Sequence, residues 1–245
     1  DSVTCVPQGY ASYNFVKKFL IRLVLKYATE VICVSQFQKK EADKIHKRDY
    51  TVIYNSVDNN VFKNIGTNRK FITMIANFDS ISFVIKRVMN FIEACSKVKN
   101  KLPDKKFLII GQSGNKTQLA LKRIKELKLT RHVKIMNLVE NKKIPEILNL
   151  TSTYVQISDV ETFGVSCLEA HLCGCKLVLS RQGALPEIFS EDAIFCDHND
   201  IVDISKKIIQ SEASKTKDIE KSVLKYDILA KQVKLEKLFK AHHVI

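Results

Sequence analysis

The chain has 245 residues, 45% of them apolar, enough for one large α/β domain or one domain and part of another. Its 40 basic residues outnumber 26 acidic ones, and the net charge of +14 favours phosphate-bearing partners such as a nucleotide, a nucleic acid or an anionic lipid surface. No apolar run approaches the ~18 residues of a membrane span, no signal peptide is visible at Asp1-Ser-Val-Thr-Cys-Val-Pro7, and the seven cysteines lack disulfide or zinc-ribbon spacing, as expected of a reducing, cytoplasmic setting.

In chain order, residues 3–10 read as a strand entering a loop, and 12–28 as a helix with Phe15, Phe19, Leu20, Leu23, Val24 and Tyr27 at helical spacing. A strand over 29–35 ends on Ser35, placed to cap a helix over 36–46, and 50–55 forms the next strand. Residues 66–70 make a polar linker. Then follow a buried strand at 71–76, a helix at 86–98 and a strand at 106–110 that opens into Gly111-Gln-Ser-Gly114-Asn-Lys116. That loop invites a phosphate-loop reading, but its spacing is wrong and no Ser or Thr follows a Gly-Lys pair. A helix at 119–127, a strand at 133–139 and a short helix at 144–150 precede a strand at 154–158. Beyond it lie a helix at 165–172 stopped by Gly174, a strand at 176–179, a strand at 194–196, a helix at 201–210 and closing helices within 219–243. The alternation predicts a doubly wound parallel sheet.

The most informative stretch runs from Asp159 to Glu187. Strand, glycine turn, helix and strand form one βαβ unit whose turn is framed by two carboxylates, Glu161 and Glu169. A helix N-terminus opening on Gly164 offers free N–H groups and a positive dipole end to a phosphate. Glu161 precedes the turn and Glu169 lies eight residues on, roughly 12 Å along the axis at helical rise, a span that suits a sugar–diphosphate–ribose molecule. The same residues also read as a solvated Glu161 and a Glu169 that caps or pairs, and spacing does not decide between the two. His171, Cys173, Cys175 and Cys196 are conceivable metal ligands, but alternate residues on a helix diverge, so no metal is expected.

This stretch resembles the Glu-x7-Glu signature of the family-4 retaining glycosyltransferases, which have the two-Rossmann GT-B fold. Glu161, Phe163, Gly164, Glu169, Ala170, Cys173, Gly174, Gly183, Pro186 and Glu187 match the family pattern in order. The resemblance implies that Glu161 contacts donor-sugar hydroxyls as a catalytic group, with Phe163 beside it. The amides of Gly164, Val165 and Ser166 would hold the diphosphate, and Glu169 the ribose. In the family an arginine or asparagine follows the first donor-domain strand, and a Lys-Gly or Lys-Asn pair opens the next helix. Asn77 stands at the first position and Lys86-Arg87 at the second, with Lys86 the candidate for the leaving diphosphate and Arg87 its rival. Gly111 belongs to the turn beside the nucleotide, and Leu138 and Val139 to the loop that meets the base.

Asn55-Ser-Val57-Asp58 with Phe62 resembles the passage where the chain leaves the first Rossmann domain. The resemblance therefore implies three parts: residues 1–62, the end of the acceptor-side domain; 63–215, a donor-binding Rossmann-like domain; and 216–245, closing helices returning to the first. Gln8 and Gly9 fall where some relatives carry His-Gly on the acceptor side, and a glutamine there cannot act as a general base.

The expected fold class is α/β of GT-B type, with a partial second Rossmann-like domain. The expected function is retaining transfer of a sugar, hexosyltransferase-like, from a nucleotide-sugar to a glycan or lipid-linked acceptor. No cofactor or metal is expected. An alternative is a non-catalytic or partner-dependent donor-binding half, working with the missing N-terminal half as a separate chain. A nucleic-acid-binding domain rests on charge alone, and no such partner is expected. The lysine surplus reads either as solvated helix faces or as attraction to an anionic membrane surface, which would make the protein peripheral to a membrane.

Overall fold

The computed structural model describes residues 9–137, 139–215 and 226–241. Six parallel strands form its centre: β3 (Phe71–Ile75), β4 (Lys106–Ile110), β5 (Val133–Met136), β6 (Thr151–Gln156), β7 (Lys176–Ser180) and β8 (Ala193–Cys196). Their order is β5-β4-β3-β6-β7-β8, the doubly wound arrangement that the alternating pattern predicts. Before them, β1 (Ile32–Cys33) and β2 (Thr51–Val52) make a separate two-stranded parallel sheet.

Helices cover both faces of the six-stranded sheet, as an all-parallel sheet requires. On one face lie α4 (Val88–Lys101), α5 (Thr117–Glu126) and α9 (Ile201–Ala213). Helix α4 forms there because Val88, Phe91, Ile92, Cys95 and Val98 recur at three- and four-residue spacing, and all five are fully buried. Phe91 meets Phe107 of β4 edge-on at a centroid distance of 6.4 Å, and each buried aromatic contributes about 2–3 kcal/mol. The other face carries α6 (Ile144–Asn149), α7 (Val165–Leu172) and α8 (Leu185–Phe189), packed through Leu148, Leu168, Leu185 and Phe189 onto Tyr154, Leu177 and Leu179.

Strand β6 starts three residues earlier than its apolar run suggests. Thr151, Ser152 and Thr153 are buried because each hydroxyl has a partner: the Thr151 hydroxyl lies 2.7 Å from that of Thr73, Ser152 donates to the Phe71 carbonyl at 3.0 Å, and Thr153 donates to Glu212 at 2.6 Å. The helix predicted over 86–98 is also revised. A separate helix α3 (Ser80–Ile85), capped by Asp79, precedes it, and Lys86 and Arg87 form the joint before α4.

Helices α1 (Phe15–Tyr27) and α2 (Gln36–Ile45) flank the small sheet, capped by Asn14 and Ser35. Arg48 closes the end of α1 by donating to the Leu25 and Ala28 carbonyls at 2.6 and 2.7 Å. The outer stripe of α1 stays exposed, with Phe15 82%, Val24 65% and Tyr27 71% accessible. Just before helix α10 (Ile228–Ala241), Asp227 bridges Val57 and accepts from Asn59 at 2.9 Å. No described helix is long and apolar enough to cross a membrane.

Candidate functional site

Strands β3 and β6 are neighbours, and the chain winds away from them in opposite directions, so a crevice opens beyond their C-terminal ends. The loop after β3 supplies one wall. Asp79 accepts from the Ile81 and Ser82 N–H groups at 2.9 Å, and the Ser82 bond above all holds its carboxyl below the usual range. Helix α3 then delivers Lys86 and Arg87, while the Asp159 N–H donates to the Ile85 carbonyl at 2.8 Å and ties this wall to the loop after β6.

The two basic groups part here. Lys86 Nζ donates to Glu161 Oε2 at 2.7 Å, with the side chains 25% and 17% exposed. Arg87, at φ 54°, turns away and donates through Nε to Asp159 Oδ1 at 2.5 Å, and His198 Nε2 lies 3.3 Å from the same oxygen. Lys86, not Arg87, therefore shares the crevice with Glu161.

The turn after Glu161 is held by two close approaches. Gly164 caps α7 at φ 94°, and the helix begins with Val165 and Ser166, whose N–H groups have no acceptor among the described residues. Gly183 presses against Glu161 so closely that a Cβ there would lie 2.1 Å from the Glu161 carbonyl oxygen, and the next residue, Ala184, donates to that oxygen at 2.8 Å. The Glu169 carboxylate, in the second turn of α7, makes no hydrogen bond among the described residues, and burial pushes it up to about 7. The buried Cys167 thiol is pushed up by burial, with smaller electrostatic influences from Glu161, Lys86 and Glu169.

Of the other expected residues, Asn77 accepts through Oδ1 from the Gln112 N–H at 2.9 Å, which joins the β3 and β4 loops, and the Gly111 N–H donates to the Met136 carbonyl at 3.1 Å. Phe163 is 1% exposed, and its ring meets Tyr54 and Tyr226 at 6.3 and 5.5 Å. It braces the turn from below. Val139 is half-buried. Gly9 is buried in the first part of the chain and accepts from Ser12 Oγ at 2.7 Å. Gln8 and Leu138 lie outside the described residues. Cys173, Cys175 and Cys196 point at the carbonyls of Pro145, Leu148 and Leu179, and burial raises each thiol; among the described residues no three His, Cys, Asp or Glu groups gather as a metal set.

Sequence reasoning missed Gln156, Ser158, Asp159 and His198. Gln156 alone carried a signal, as an amide between the apolar Val155 and Ile157; Asp159 and His198 meet only through the sheet order. Glu187, matched as part of the motif, has a role that its spacing does not show. Its carboxylate accepts from the Gln36 and Phe37 N–H groups at 2.9 and 3.0 Å, capping α2.

A model of the glycosyl transferases group 1 family matches residues 58–225, more than half of the chain. N-acetyl-alpha-D-glucosaminyl L-malate synthase of Bacillus anthracis is 25% identical over 206 residues, 78% of this chain and 52% of that protein. A subunit of human phosphatidylinositol N-acetylglucosaminyltransferase is 26% identical over 198 residues, 76% of this chain and 39% of that protein. The chain thus spans about half or less of the length of these curated relatives. Among solved structures, Anabaena HepE in complex with UDP and glucose superposes with a TM-score of 0.81 at 17% identity, over 94% of this chain and 68% of its own. Sucrose-phosphate synthase from Thermosynechococcus elongatus gives 0.80 at 16% identity, over 98% of this chain and 65% of its own. These identities speak for the fold, which is that of the GT-B glycosyltransferases. Family match, fold and sheet order agree: the chain belongs to the group 1 glycosyltransferases.

Proposed function

We propose that this chain is the donor-binding part of a retaining, family-4-type glycosyltransferase that takes N-acetylglucosamine from UDP-N-acetylglucosamine. The observation that carries the reading is the Lys86–Glu161 pair at 2.7 Å, set beside the α7 N-terminus with Glu169 unpartnered in its second turn. The free N–H groups of Val165 and Ser166 and the Lys86 ammonium suit a diphosphate between them. Glu161 then meets sugar hydroxyls, and Glu169 the ribose diol. Lys86 offsets the charge that develops as the sugar–phosphate bond breaks, and the departing phosphate takes the acceptor's proton. The reading needs no metal, since the lysine and the helix terminus supply the positive charge. Two relatives named for N-acetylglucosaminyl transfer and a structural neighbour holding UDP favour this donor.

In this reading residues 63–215 bind the donor, 1–62 belong to the acceptor side and 216–245 close back onto it. The acceptor is a glycan or a lipid-linked group, and the excess of lysine draws the protein to an anionic membrane surface.

Thermal unfolding against UDP, GDP, ADP and CMP tests the donor. UDP at a hundred times its Kd is expected to add about 2.7 kcal/mol to the folded state, and Glu169→Ala to remove most of that gain. Equal responses to all four nucleotides, or a response untouched in Glu169→Ala, would overturn the reading.

A further inference from the structure

We infer that Gln156 is a positioning residue for Glu161, holding the carboxylate in place when the donor draws Lys86 away; this rests on the donor reading above. Gln156 is 1% exposed at the C-terminal end of β6, between Val155 and Ile157, which are fully buried. A buried amide is costly unless its hydrogen-bonding positions are filled. Here both N–H groups are used: Nε2 donates to Ser158 Oγ at 2.9 Å and to Glu161 Oε2 at 2.8 Å. Its Oε1 lies 3.3 Å from the Tyr154 hydroxyl, which in turn lies 3.0 Å from Ser166 Oγ in the first turn of α7. Ser158 is fixed as well, because its carbonyl accepts from Ser180 Oγ at 2.8 Å.

Glu161 Oε2 therefore takes two hydrogen bonds from two differently mounted donors. One is the flexible Lys86 side chain at 2.7 Å. The other is an amide locked in the sheet. Glu161 Oε1 makes no hydrogen bond among the described residues and is left for a ligand hydroxyl. An ammonium that moves onto a diphosphate loosens its grip on the carboxylate, whereas the amide has nowhere to go. Gln156 is then the anchor that keeps Glu161 aimed during sugar transfer. Being uncharged, it provides that anchor without repelling the carboxylate. The Tyr154 hydroxyl has one proton for two acceptors. If it serves Ser166, the Ser166 proton is released toward the crevice; if it serves Gln156, Ser166 donates back to Tyr154. Occupation of the helix terminus and the hold on Glu161 thus belong to one hydrogen-bond chain.

The test is release of UDP from UDP-N-acetylglucosamine by the chain, comparing wild type with Gln156→Met, which keeps length and packing but donates nothing. The expected result is a kcat at least tenfold lower with KM within about threefold, and UDP still stabilising the variant. Gln156→Glu, which preserves volume, is expected to lose at least as much, because it sets a second carboxylate against Glu161. A kcat within twofold of wild type in both variants would overturn the positioning role while leaving the donor reading intact. A wild type that releases no UDP would sink the donor reading instead. In that case the contact itself is decided by NMR: the Gln156 side-chain amide protons, identified by their loss in Gln156→Met, must exchange slowly and shift in Glu161→Ala. Fast exchange with no shift overturns the inference.

Discussion

Burial holds the Glu169 carboxyl at about 7, and no hydrogen bond among the described residues compensates it. In the proposed donor pose ribose hydroxyls donate to it and favour the charged form, so nucleotide binding below that value expels a proton. UDP affinity is accordingly expected to tighten about tenfold between pH 6 and pH 8, measured by calorimetry, and Glu169→Gln to flatten that dependence. Stability runs the other way. The folded-state value lies above the ordinary value of 4.5, so the stability present below about 4.5 is lost as pH rises through about 7. Glu169→Gln should therefore melt higher than wild type at pH 8, by on the order of 1–2 kcal/mol after discounting for partial exposure, and equally at pH 4. Gly183 acts through space rather than charge. At φ +62° with a Cβ position 2.1 Å from the Glu161 carbonyl oxygen, it admits no side chain. Gly183→Ala is expected to cost at least about 2 kcal/mol in a denaturant titration and to abolish stabilisation by UDP, because Glu161 must move.

Between α3 and α4, Arg87 occupies a left-handed conformation, at a position where the resembling family carries Gly or Asn. That backbone costs an arginine about 1–2 kcal/mol, which the Asp159 contact at 2.5 Å offsets. Arg87→Gly removes both terms and is expected to stay within about 1 kcal/mol of wild type. Arg87→Ala keeps the strain, loses the ion pair and should fall about 1–2 kcal/mol lower in chemical denaturation. This joint shows where the sequence was legible and where it was not. Helices such as α4 and α7 and strands such as β4 and β7 were readable because their apolar spacing is set by one packed face. Glu161 and Glu169 stood out as candidates through the family resemblance of one βαβ segment, since their spacing alone left the solvated reading open. Helix α3 was not, since its six residues show no full amphipathic period and its start depends on the Asp79 cap. The early half of β6 was hidden because its hydroxyls are satisfied largely by Thr73, Phe71 and Glu212, residues distant in sequence. His198 was invisible for the same reason: its partner Asp159 is brought to it by the sheet order.

At the scale of the whole molecule, the first 60 or so residues and the six-stranded part meet through few but directional contacts. Glu187, four residues after Gly183, places its carboxylate on the Gln36 and Phe37 N–H groups at the start of α2, while Ser35 Oγ donates to the Thr162 carbonyl at 2.7 Å. Tyr54, Phe163 and Tyr226 stack beneath, with Tyr226 edge-on to both other rings at 5.5 Å. Both polar contacts reach into the loops that shape the crevice, one beside Glu161 and one beyond Gly183. The orientation of the first part is thus coupled to the turn proposed above to bind phosphate. A carboxylate at a helix N-terminus contributes about 1–2 kcal/mol when partly buried, and Glu187→Gln keeps one acceptor oxygen while removing the charge. Glu187→Ala is expected to destabilise the chain by about that amount and to speed limited proteolysis between residues 55 and 70, where the two parts join. Glu187→Gln should lie between it and wild type. UDP should slow cleavage in the wild type, since a filled crevice fixes the Glu161 turn and with it Thr162, but protect Glu187→Ala less. Cleavage at the same rate in all three proteins, with UDP protection unchanged, would show that the two parts are held by the aromatic cluster alone and that the crevice does not sense their orientation.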